Sequence, residues 1–220
     1  AFLPGTGRLA AFASFEELMA AWKTQLAFYA KATVAIDTAV DFALEEMVPD
    51  LLCSTLTDDC IGRGRHLKEG GAVYDWVSGL QVGVANLGDS LAAIKKFVFD
   101  EASVSPERLM AALASDFEGP EGEALRLKLL NRAPKYGNDD DYVDELLVEA
   151  YGAFVGEMKK YHNTRFGRGP IGGGYYPGTS SISSNVPSGG VVPATPDGRK
   201  AWTPLAEGCS PSRGVDTSGP

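Results

Sequence analysis

The sequence predicts an α/β protein that is mostly helical, with short strands and a closing segment of loops and strands rich in Gly and Pro. Three observations support this class. Apolar residues recur at helical spacing through most of residues 1–163. A Gly-Gly pair leads into a short apolar run at residues 72–77, which is typical of a turn followed by a buried strand. Residues 164–220 hold 8 of the 13 prolines and 12 of the 26 glycines, so we expect turns and short strands there.

The first helix is predicted from a capping box that begins at Ser14. In this motif the side chains of Ser14 and Glu17 each satisfy a free backbone N–H of the other residue. Apolar residues at helical spacing continue toward Met47. Pro49 cannot continue a helix, so we expect the helix to end there or to restart after it.

A second helix is predicted over residues 51–63, and it carries two of the three cysteines. Cys53 and Cys60 lie two helical turns apart, so we expect two half-buried core thiols. Three widely spaced cysteines, of which Cys209 is the third, form neither a disulfide framework nor a Cys-x-x-Cys zinc motif. A reducing cytoplasm is therefore the expected location.

Four further helices are predicted from their caps and breaks: residues 86–99, residues 107–117, a helix from beyond Pro120 to Leu130, and residues 140 to about 161. Ser105 is predicted to cap the second of these, with Pro106 at its first helical position. Asn138 is predicted to cap the last, whose first turn is acidic, as the helix dipole favours. These acids lack the spacing of a calcium-binding loop, so no metal site is predicted.

The composition and motifs argue against several classes of function. The net charge is −9, whereas a surface that binds nucleic acid or an anionic membrane needs clustered Lys and Arg. No apolar run approaches the length of a membrane span, and the first residues lack the basic start and apolar core of a signal peptide. A Gly-x-Gly-x-x-Gly sequence at residues 167–172 matches the dinucleotide fingerprint. A helix rather than a strand is predicted before it, so nucleotide binding is not predicted.

The Gly/Pro-rich segment is predicted to be an ordered layer of loops and not a disordered tail. Residues 195–198, Thr-Pro-Asp-Gly, have proline and glycine where a type I turn favours them. Small residues also let the backbone approach a ligand or another backbone closely. A solvated linker would not need the large apolar residues of this segment, which are Tyr175, Tyr176, Ile182, Val186, Val191, Val192, Trp202 and Leu205.

Several ordered blocks of the sequence resemble the glycyl radical enzymes, the pyruvate formate-lyase-like family. The blocks are GGAxYD at residues 70–75, DSLAAIKK at residues 89–96, APKYGND at residues 133–139, VP to ATPDGR at residues 186–199, and PLAEGxSP at residues 204–211. Phe12-x-Ser-Phe-Glu-Glu is similar to the family's usual entry into a long helix. The resemblance spans essentially the whole chain, and five blocks in the same order are more specific than a single glycine motif.

The resemblance implies a fold of which this chain would be a part. That fold is a ten-stranded α/β barrel of two antiparallel five-stranded halves wrapped in helices. Two loops meet at its centre, one with a catalytic cysteine in a Gly-Cys-x-Glu-Pro type motif and one with the radical-bearing glycine in Arg-Val-x-Gly-Tyr. Neither motif occurs here, and Gly208-Cys209-Ser210-Pro211 lacks the acid of the first. By the family's order, this chain is expected to be the stretch between the two loops. Its two ends look cut, as expected for a segment of a longer protein.

The same resemblance implies a function. The activated glycine would oxidise the cysteine to a thiyl radical, which takes a hydrogen atom from a small polar organic substrate, and a C–C or C–heteroatom bond then breaks. No cofactor is implied to bind directly, because a radical S-adenosylmethionine activating enzyme installs the glycyl radical outside this segment. The expected protein is a cytoplasmic homodimer with no catalytic residue in this stretch. Six residues are predicted neighbours of the substrate cavity: Tyr74, Asp75, Ser183, Asn185, Thr195 and Asp197.

The branch of the family and a rival interpretation stay open at this point. B12-independent diol dehydratases tend to carry Tyr-Pro where this chain has Ser180-Ser181, and often Gly-Pro-Gln-Gly where it has residues 78–83. Both departures count against that branch, so formate acetyltransferase-like enzymes, arylacetate decarboxylases and other lyases remain alternatives. The rival is a non-catalytic helical interaction module with a glycine-rich tail. Such a module would stay monodisperse alone, whereas a slice of a barrel would expose strand edges and apolar faces.

Overall fold

The computed structural model describes residues 5–179 and 183–218, without the side chain of Leu80. Ser180, Ser181 and Ile182 lie outside the described residues. The helices are α1 (Phe15–Met47), α2 (Leu51–Leu56), α3 (Cys60–Arg63), α4 (Val84–Ile94), α5 (Pro106–Ala114), α6 (Gly119–Arg132), α7 (Asp141–Met158) and α8 (Asn185–Gly189). Short 3₁₀ turns cover Leu9–Ala11 and Leu67–Glu69, and a π-helical turn covers Lys95–Asp100. The strands are β1 (Tyr74–Leu80) and β2 (Ile171–Gly178).

The chain forms two compact units whose segments alternate along the sequence. Of the described residues, unit 1 holds 24–79 and 153–178, and unit 2 holds the others. Unit 1 has a small core of Ala30, Met158 and Tyr175, with partly buried apolar residues packed on it. Unit 2 has two larger clusters, one around Phe97 and Phe117 and one that joins the start of α1 to α4 and α7.

The sheet of unit 1 has two strands in the part of the chain that the structure describes, β1 and β2. The N–H of Ile171 donates to the carbonyl of Val73, and farther along Gly172 and Gly174 lie against Asp75 and Trp76. Both strands therefore run in the same direction. The mostly helical α/β class is confirmed, whereas the ten-stranded barrel is not shown within these residues.

The start of α1 follows the predicted capping box with one difference. The N–H of Glu17 donates to the Ser14 hydroxyl at 3.3 Å, and the Glu17 carboxylate accepts from the N–H of Ala13 at 2.8 Å rather than from that of Ser14. The helix ends at Met47, two residues before Pro49, as predicted.

The predicted helix over residues 51–63 is wrong as one element, because the chain breaks between α2 and α3. Thr57 is extended and Asp59 has a left-handed backbone with φ +78°, which no continuous helix accommodates. The prediction of two half-buried thiols fails with it. Cys60 is buried, but Cys53 lies exposed on the short α2.

Two later helix boundaries also differ from the predictions. The helix predicted to reach residue 117 ends at Ala114, because Asp116 and Phe117 both have positive φ. Asn138 does not cap α7; its side chain instead accepts the N–H groups of Thr217 and Ser218, at 2.7 and 2.9 Å. The carboxylate of Asp140 caps the helix by accepting the N–H of Tyr142 at 3.0 Å.

The strand predicted to be buried is buried on one face only. Asp75 is buried, whereas its neighbours Tyr74 and Trp76 are exposed. The Gly/Pro-rich segment forms β2, α8 and tight turns, with Tyr175 and Leu205 buried as an ordered layer requires. Its other large apolar residues do not all pack, since Val191 and Trp202 are more than 80% exposed.

Candidate functional site

Two of the polar side chains that helix α4 buries, Asn86 and Asp89, define a site in unit 2. Asn86 and Asp89 lie three residues apart and therefore on one face of the helix. Their relative exposures are 5% and 0%. A buried polar group is costly unless it is hydrogen-bonded, so the partners of these side chains show what the face is built to hold.

Asn86 joins three segments of the Gly/Pro-rich region to α4. Its Nδ2 donates to Asp197 Oδ2 at 2.6 Å and to Ser212 Oγ at 3.1 Å. Its Oδ1 accepts the N–H of Ala206 at 2.7 Å. One amide thus holds the turn at residues 195–199 and the two segments that follow it.

The turn at residues 195–199 is built as the sequence predicts. The N–H of Gly198 donates to the carbonyl of Thr195 at 3.0 Å, which closes the turn. Asp197 Oδ1 accepts from the Thr195 hydroxyl and from the N–H of Arg199. Gly198 has φ +95°, and a Cβ there would lie 3.1 Å from the carbonyl oxygen of Arg126 on α6. Glycine meets both requirements, because it tolerates positive φ and needs no side-chain space.

Arg199 holds the surrounding loop together from inside. Its guanidinium donates to the backbone carbonyls of Val192, Pro193, Lys200 and Thr203 at 2.6–3.0 Å, and to the Thr195 hydroxyl at 3.2 Å. Burial lowers the pKa of this guanidinium, although Asp197 and Asp116 oppose the shift. The ordered loop layer is therefore fixed by hydrogen bonds as much as by apolar packing.

Asp89 and Lys135 form the charged centre of the site. Asp89 Oδ1 accepts the N–H of Tyr136 at 2.8 Å, and Lys135 Nζ donates to the carbonyl of Asp197 at 2.8 Å. Burial raises the pKa of Asp89 to about 6, an effect that Lys135 opposes most strongly. Burial also lowers the pKa of Lys135, opposed by Asp89 and Asp197. The two groups thus attract each other in a site from which water is largely excluded.

A cavity of about 890 Å³ lies beside these residues, entirely within unit 2. Polar side chains at its wall include Asn86, Asp89, Lys135, Asn185, Asp197 and Arg199. Leu130, Val186, Leu205 and Pro211 supply apolar surface. Polar groups that converge on a concave surface beside apolar side chains are a feature of small-molecule sites.

The six predicted cavity residues fall in different places. Asn185 and Asp197 lie in the wall of the cavity just described, and Thr195 donates a hydrogen bond to Asp197 from the turn beside it. Ser183 is exposed in the turn that precedes α8. Tyr74 and Asp75 belong to unit 1, where Tyr74 is exposed and Asp75 is buried.

Asp75 belongs to a buried ion-pair network in unit 1 that the sequence analysis did not identify. Arg165 donates to both carboxylate oxygens of Asp75, at 2.7 and 3.1 Å. The same guanidinium contacts Asp41 of α1 at 2.7 Å. Asn86, Asp89 and Lys135 were likewise missed as site residues. A polar pair at i and i+3 on the apolar side of α4 is the signal that could have found the first two.

The buried Asp89 makes the stability of the protein depend on pH. Its pKa is 3.8 in ordinary surroundings and about 6 here, so the folded protein holds the proton more tightly than the unfolded chain. The protonated carboxyl therefore stabilises the fold at low pH, and this contribution is lost as the pH rises through about 6. We expect wild type to lose about 2–3 kcal/mol relative to Asp89→Asn between about pH 4 and pH 7. Urea unfolding at both pH values tests this, and an identical pH dependence in both proteins would contradict it.

The described residues hold neither a cluster that could bind a metal ion nor a helix that could span a membrane. Within residues 5–179 and 183–218, no three His, Cys, Asp or Glu side chains come together so that they could hold a metal ion. Of the helices in the described part of the chain, none has the length and apolar character that crossing a bilayer requires.

Comparison with known proteins places the chain among enzymes about four times its length. The family model described as pyruvate formate lyase-like matches residues 1–189. The chain is 58% identical, over its full length, to "Probable dehydratase YbiW" of Escherichia coli, and 37% identical over 98% of its length to the trans-4-hydroxy-L-proline dehydratase of Clostridioides difficile. It covers 27% and 26% of these two proteins. The solved structure of glycerol-bound B12-independent glycerol dehydratase from Clostridium butyricum is similar at a TM-score of 0.87 and 43% identity, over 98% of this chain and 26% of that one.

Proposed function

The chain belongs to the pyruvate formate lyase-like family of glycyl radical enzymes, and we propose that it is part of a longer lyase that removes water from a small hydroxylated substrate. The observation that carries the proposal is the 58% identity to a probable dehydratase across the whole chain. The other two relatives described above are also dehydratases, of a hydroxylated amino acid and of a polyol. They favour C–O cleavage over the C–C cleavage that the sequence alone left open. The non-catalytic module is not favoured, because the family match covers residues 1–189.

The chain's own residues do not fit the role of radical carrier. Its sequence has neither the Gly-Cys-x-Glu-Pro nor the Arg-Val-x-Gly-Tyr motif, and Cys209 is exposed. In the proposed enzyme, a glycyl radical outside this chain supplies the abstraction of hydrogen from substrate. A radical S-adenosylmethionine activating enzyme would be the partner that installs it, and the enzyme would be a cytoplasmic homodimer. This chain would then contribute part of the wall of the substrate cavity, and its hydrogen bonds would hold that wall in shape.

The proposed wall contains the predicted residues in two roles. Thr195 and Asp197 hold the turn beside the cavity, because their hydrogen bonds run to Arg199 and Asn86. Asn185 donates a hydrogen bond to the carbonyl of Leu205 at 3.4 Å, which is long, so its amide is available to orient a substrate hydroxyl. Ser183, in the turn before α8, is proposed with them, whereas Tyr74 and Asp75 lie in unit 1 and their role beside a substrate stays a prediction. A closed wall of this kind keeps water away from a reactive intermediate.

The test uses the full-length protein that contains this chain, co-expressed with its activating enzyme without oxygen. We expect a glycyl radical signal in the electron paramagnetic resonance spectrum. With glycerol, 1,2-propanediol or trans-4-hydroxy-L-proline as substrate, we expect a product lighter by one water. A radical signal accompanied by products of C–C cleavage would overturn the dehydration proposal, and the absence of any radical would overturn the enzyme proposal itself.

Asn185→Ala tests the cavity wall in the same assay. We expect KM to rise about threefold to tenfold with kcat nearly unchanged, which corresponds to the loss of one hydrogen bond to substrate. Val191→Ala is the matched control, because Val191 lies two residues after the end of α8 and is 82% exposed. Equal KM values for the two variants would remove Asn185 from the proposed wall.

A further inference from the structure

One carboxylate oxygen in the cavity wall is buried and accepts no hydrogen bond of normal geometry from the described residues. Asp89 is 0% exposed, and its Oδ1 accepts the N–H of Tyr136. Its Oδ2 makes no hydrogen bond of normal geometry within the residues that the structure describes, although the Ser212 hydroxyl lies near enough to the carboxylate to lower its pKa. A buried oxygen that carries charge above about pH 6 is costly to leave unpaired, so this position calls for a hydrogen-bond donor.

Lys135 has hydrogen-bond donors that could complement this acceptor. An ammonium group has three N–H donors, and among the described residues Lys135 Nζ uses one, toward the carbonyl of Asp197. Lys135 is 7% exposed, so water satisfies the others poorly. Lys135 and Asp89 attract each other, yet they do not form a direct hydrogen bond. An unused acceptor and unused donors therefore border the same cavity without contact between them.

The other buried charges of the wall already have partners. Asp197 accepts from Asn86, Thr195 and the N–H of Arg199. Arg199 donates to four backbone carbonyls. Asp89 and Lys135 are thus the buried charged side chains of this wall with capacity left for a ligand.

We propose that Asp89 and Lys135 together bind a hydroxyl group of a small hydroxylated molecule, which donates to Asp89 Oδ2 and accepts from Lys135 Nζ. A hydroxyl group fits because it is both a donor and an acceptor. A carbonyl lacks a donor for Asp89, an ammonium lacks an acceptor for Lys135, and a carboxylate would lie against the Asp89 carboxylate. Leu130, Leu205 and Pro211 then contact the carbon skeleton of the molecule.

A water molecule has the same hydrogen-bonding capacity, but the size of the cavity favours a larger occupant. One water takes up about 30 Å³ of liquid volume, whereas the cavity measures about 890 Å³. A polyol can place a hydroxyl at the Asp89 position and cover the apolar wall as well. The binding geometry stands by itself; the identification of the molecule as substrate rests on the proposed function.

The experiment measures glycerol binding to the full-length protein without activation, by ligand-observed NMR in buffers free of other polyols. In Asp89→Asn, the amide oxygen can keep the bond from Tyr136, while an NH₂ donor replaces the free acceptor. We expect the Kd for glycerol to rise about 10-fold to 100-fold, the cost of losing a hydrogen bond to a charged group. Asp58→Asn is the matched control, because it removes one exposed carboxylate from unit 1. Its Kd should equal that of wild type.

Lys135→Met gives an independent measurement should Asp89→Asn fold poorly, and we expect it to weaken glycerol binding as well. A folded variant with an unchanged Kd would overturn the proposal, as would wild type that holds only water and binds no glycerol. The activated enzyme then identifies the molecule. A KM that rises in parallel with Kd identifies the bound polyol as substrate, whereas an unchanged KM identifies a hydroxylated ligand other than the substrate. Because binding is measured without the radical, failure of the dehydratase proposal would not affect this result.

Discussion

Arg165→Ala is expected to destabilise unit 1 by about 3–5 kcal/mol, because it leaves two buried carboxylates without their cation. Arg165, Asp75 and Asp41 have side-chain exposures of 7%, 9% and 10%. Burial alone would lower the pKa of Arg165, but the hydrogen bonds that its guanidinium donates to Asp75 and Asp41 outweigh this effect, so the pKa is raised and the guanidinium stays charged. Removal of the guanidinium leaves both carboxylates buried without a counter-charge, and this uncompensated burial favours unfolding.

Native-state hydrogen exchange over residues 24–79 of the full-length protein measures this loss, because exchange reports the free energy of opening of one region. Arg65→Ala is the matched control, since Arg65 is exposed in the same unit, and we expect a change within about 0.5 kcal/mol. The triple variant Arg165→Met/Asp41→Asn/Asp75→Asn should be less destabilised than Arg165→Ala, because it removes the charges together. If the triple variant is the less stable of the two, the penalty comes from lost packing and not from unpaired charge.

This network shows what the sequence could not provide. Arg165 lies 90 residues from Asp75 along the chain, and helical or strand periodicity carries no information about such pairing. The sequence did mark Asp75, through its place after the Gly-Gly pair and in a family block, but it could not distinguish a cavity residue from half of a buried ion pair. Asp89 also lies in a family block, but from the sequence alone it cannot be distinguished from an ordinary polar residue of an amphipathic helix.

The sequence predicts helix caps, helix ends and turns correctly where residues close together in the chain determine them. The capping serine of α1, the end of that helix before Pro49 and the turn at residues 195–198 all follow from residues within four positions of each other. The break after α2 was not predictable in this way. It depends on the left-handed backbone of Asp59, a conformation that Asp can adopt but that its side chain does not require. Asn138 was assigned to the wrong element for a related reason, because its partners Thr217 and Ser218 are about 80 residues away.

Gly172→Ala is expected to destabilise unit 1 by about 2–6 kcal/mol, because the β1–β2 pair leaves no room for a side chain. Gly172 has φ +109°, which an alanine adopts only with strain of about 1–3 kcal/mol. Its Cβ would also lie 2.1 Å from the carbonyl oxygen of Asp75, so the strands would have to separate, at a further cost of about 1–3 kcal/mol. Hydrogen exchange over residues 24–79 measures the effect. A neutral Gly172→Ala would show that the strands do not pair in this register.

Gly156→Ala makes the same chemical change where the structure predicts the opposite sign. Gly156 lies within α7, and apart from its chain neighbours and the backbone of its own helix no atom of the described residues lies within 4 Å of the position that its Cβ would take. Alanine there should stabilise the protein by about 0.5–1 kcal/mol, because glycine loses more backbone entropy on forming a helix. The contrast separates a glycine that the fold requires from one that it only tolerates.

The effects of Gly172→Ala and Arg165→Ala should not add, because both act on Asp75. An alanine at residue 172 displaces the backbone that carries the Asp75 carboxylate, and Arg165→Ala removes the group that holds this carboxylate in place. In the double variant the second change acts on an interaction that is already lost. We expect the double variant to be about 1–3 kcal/mol more stable than the sum of the single effects predicts. Simple additivity would mean that the glycine holds the strands together without positioning the ion pair.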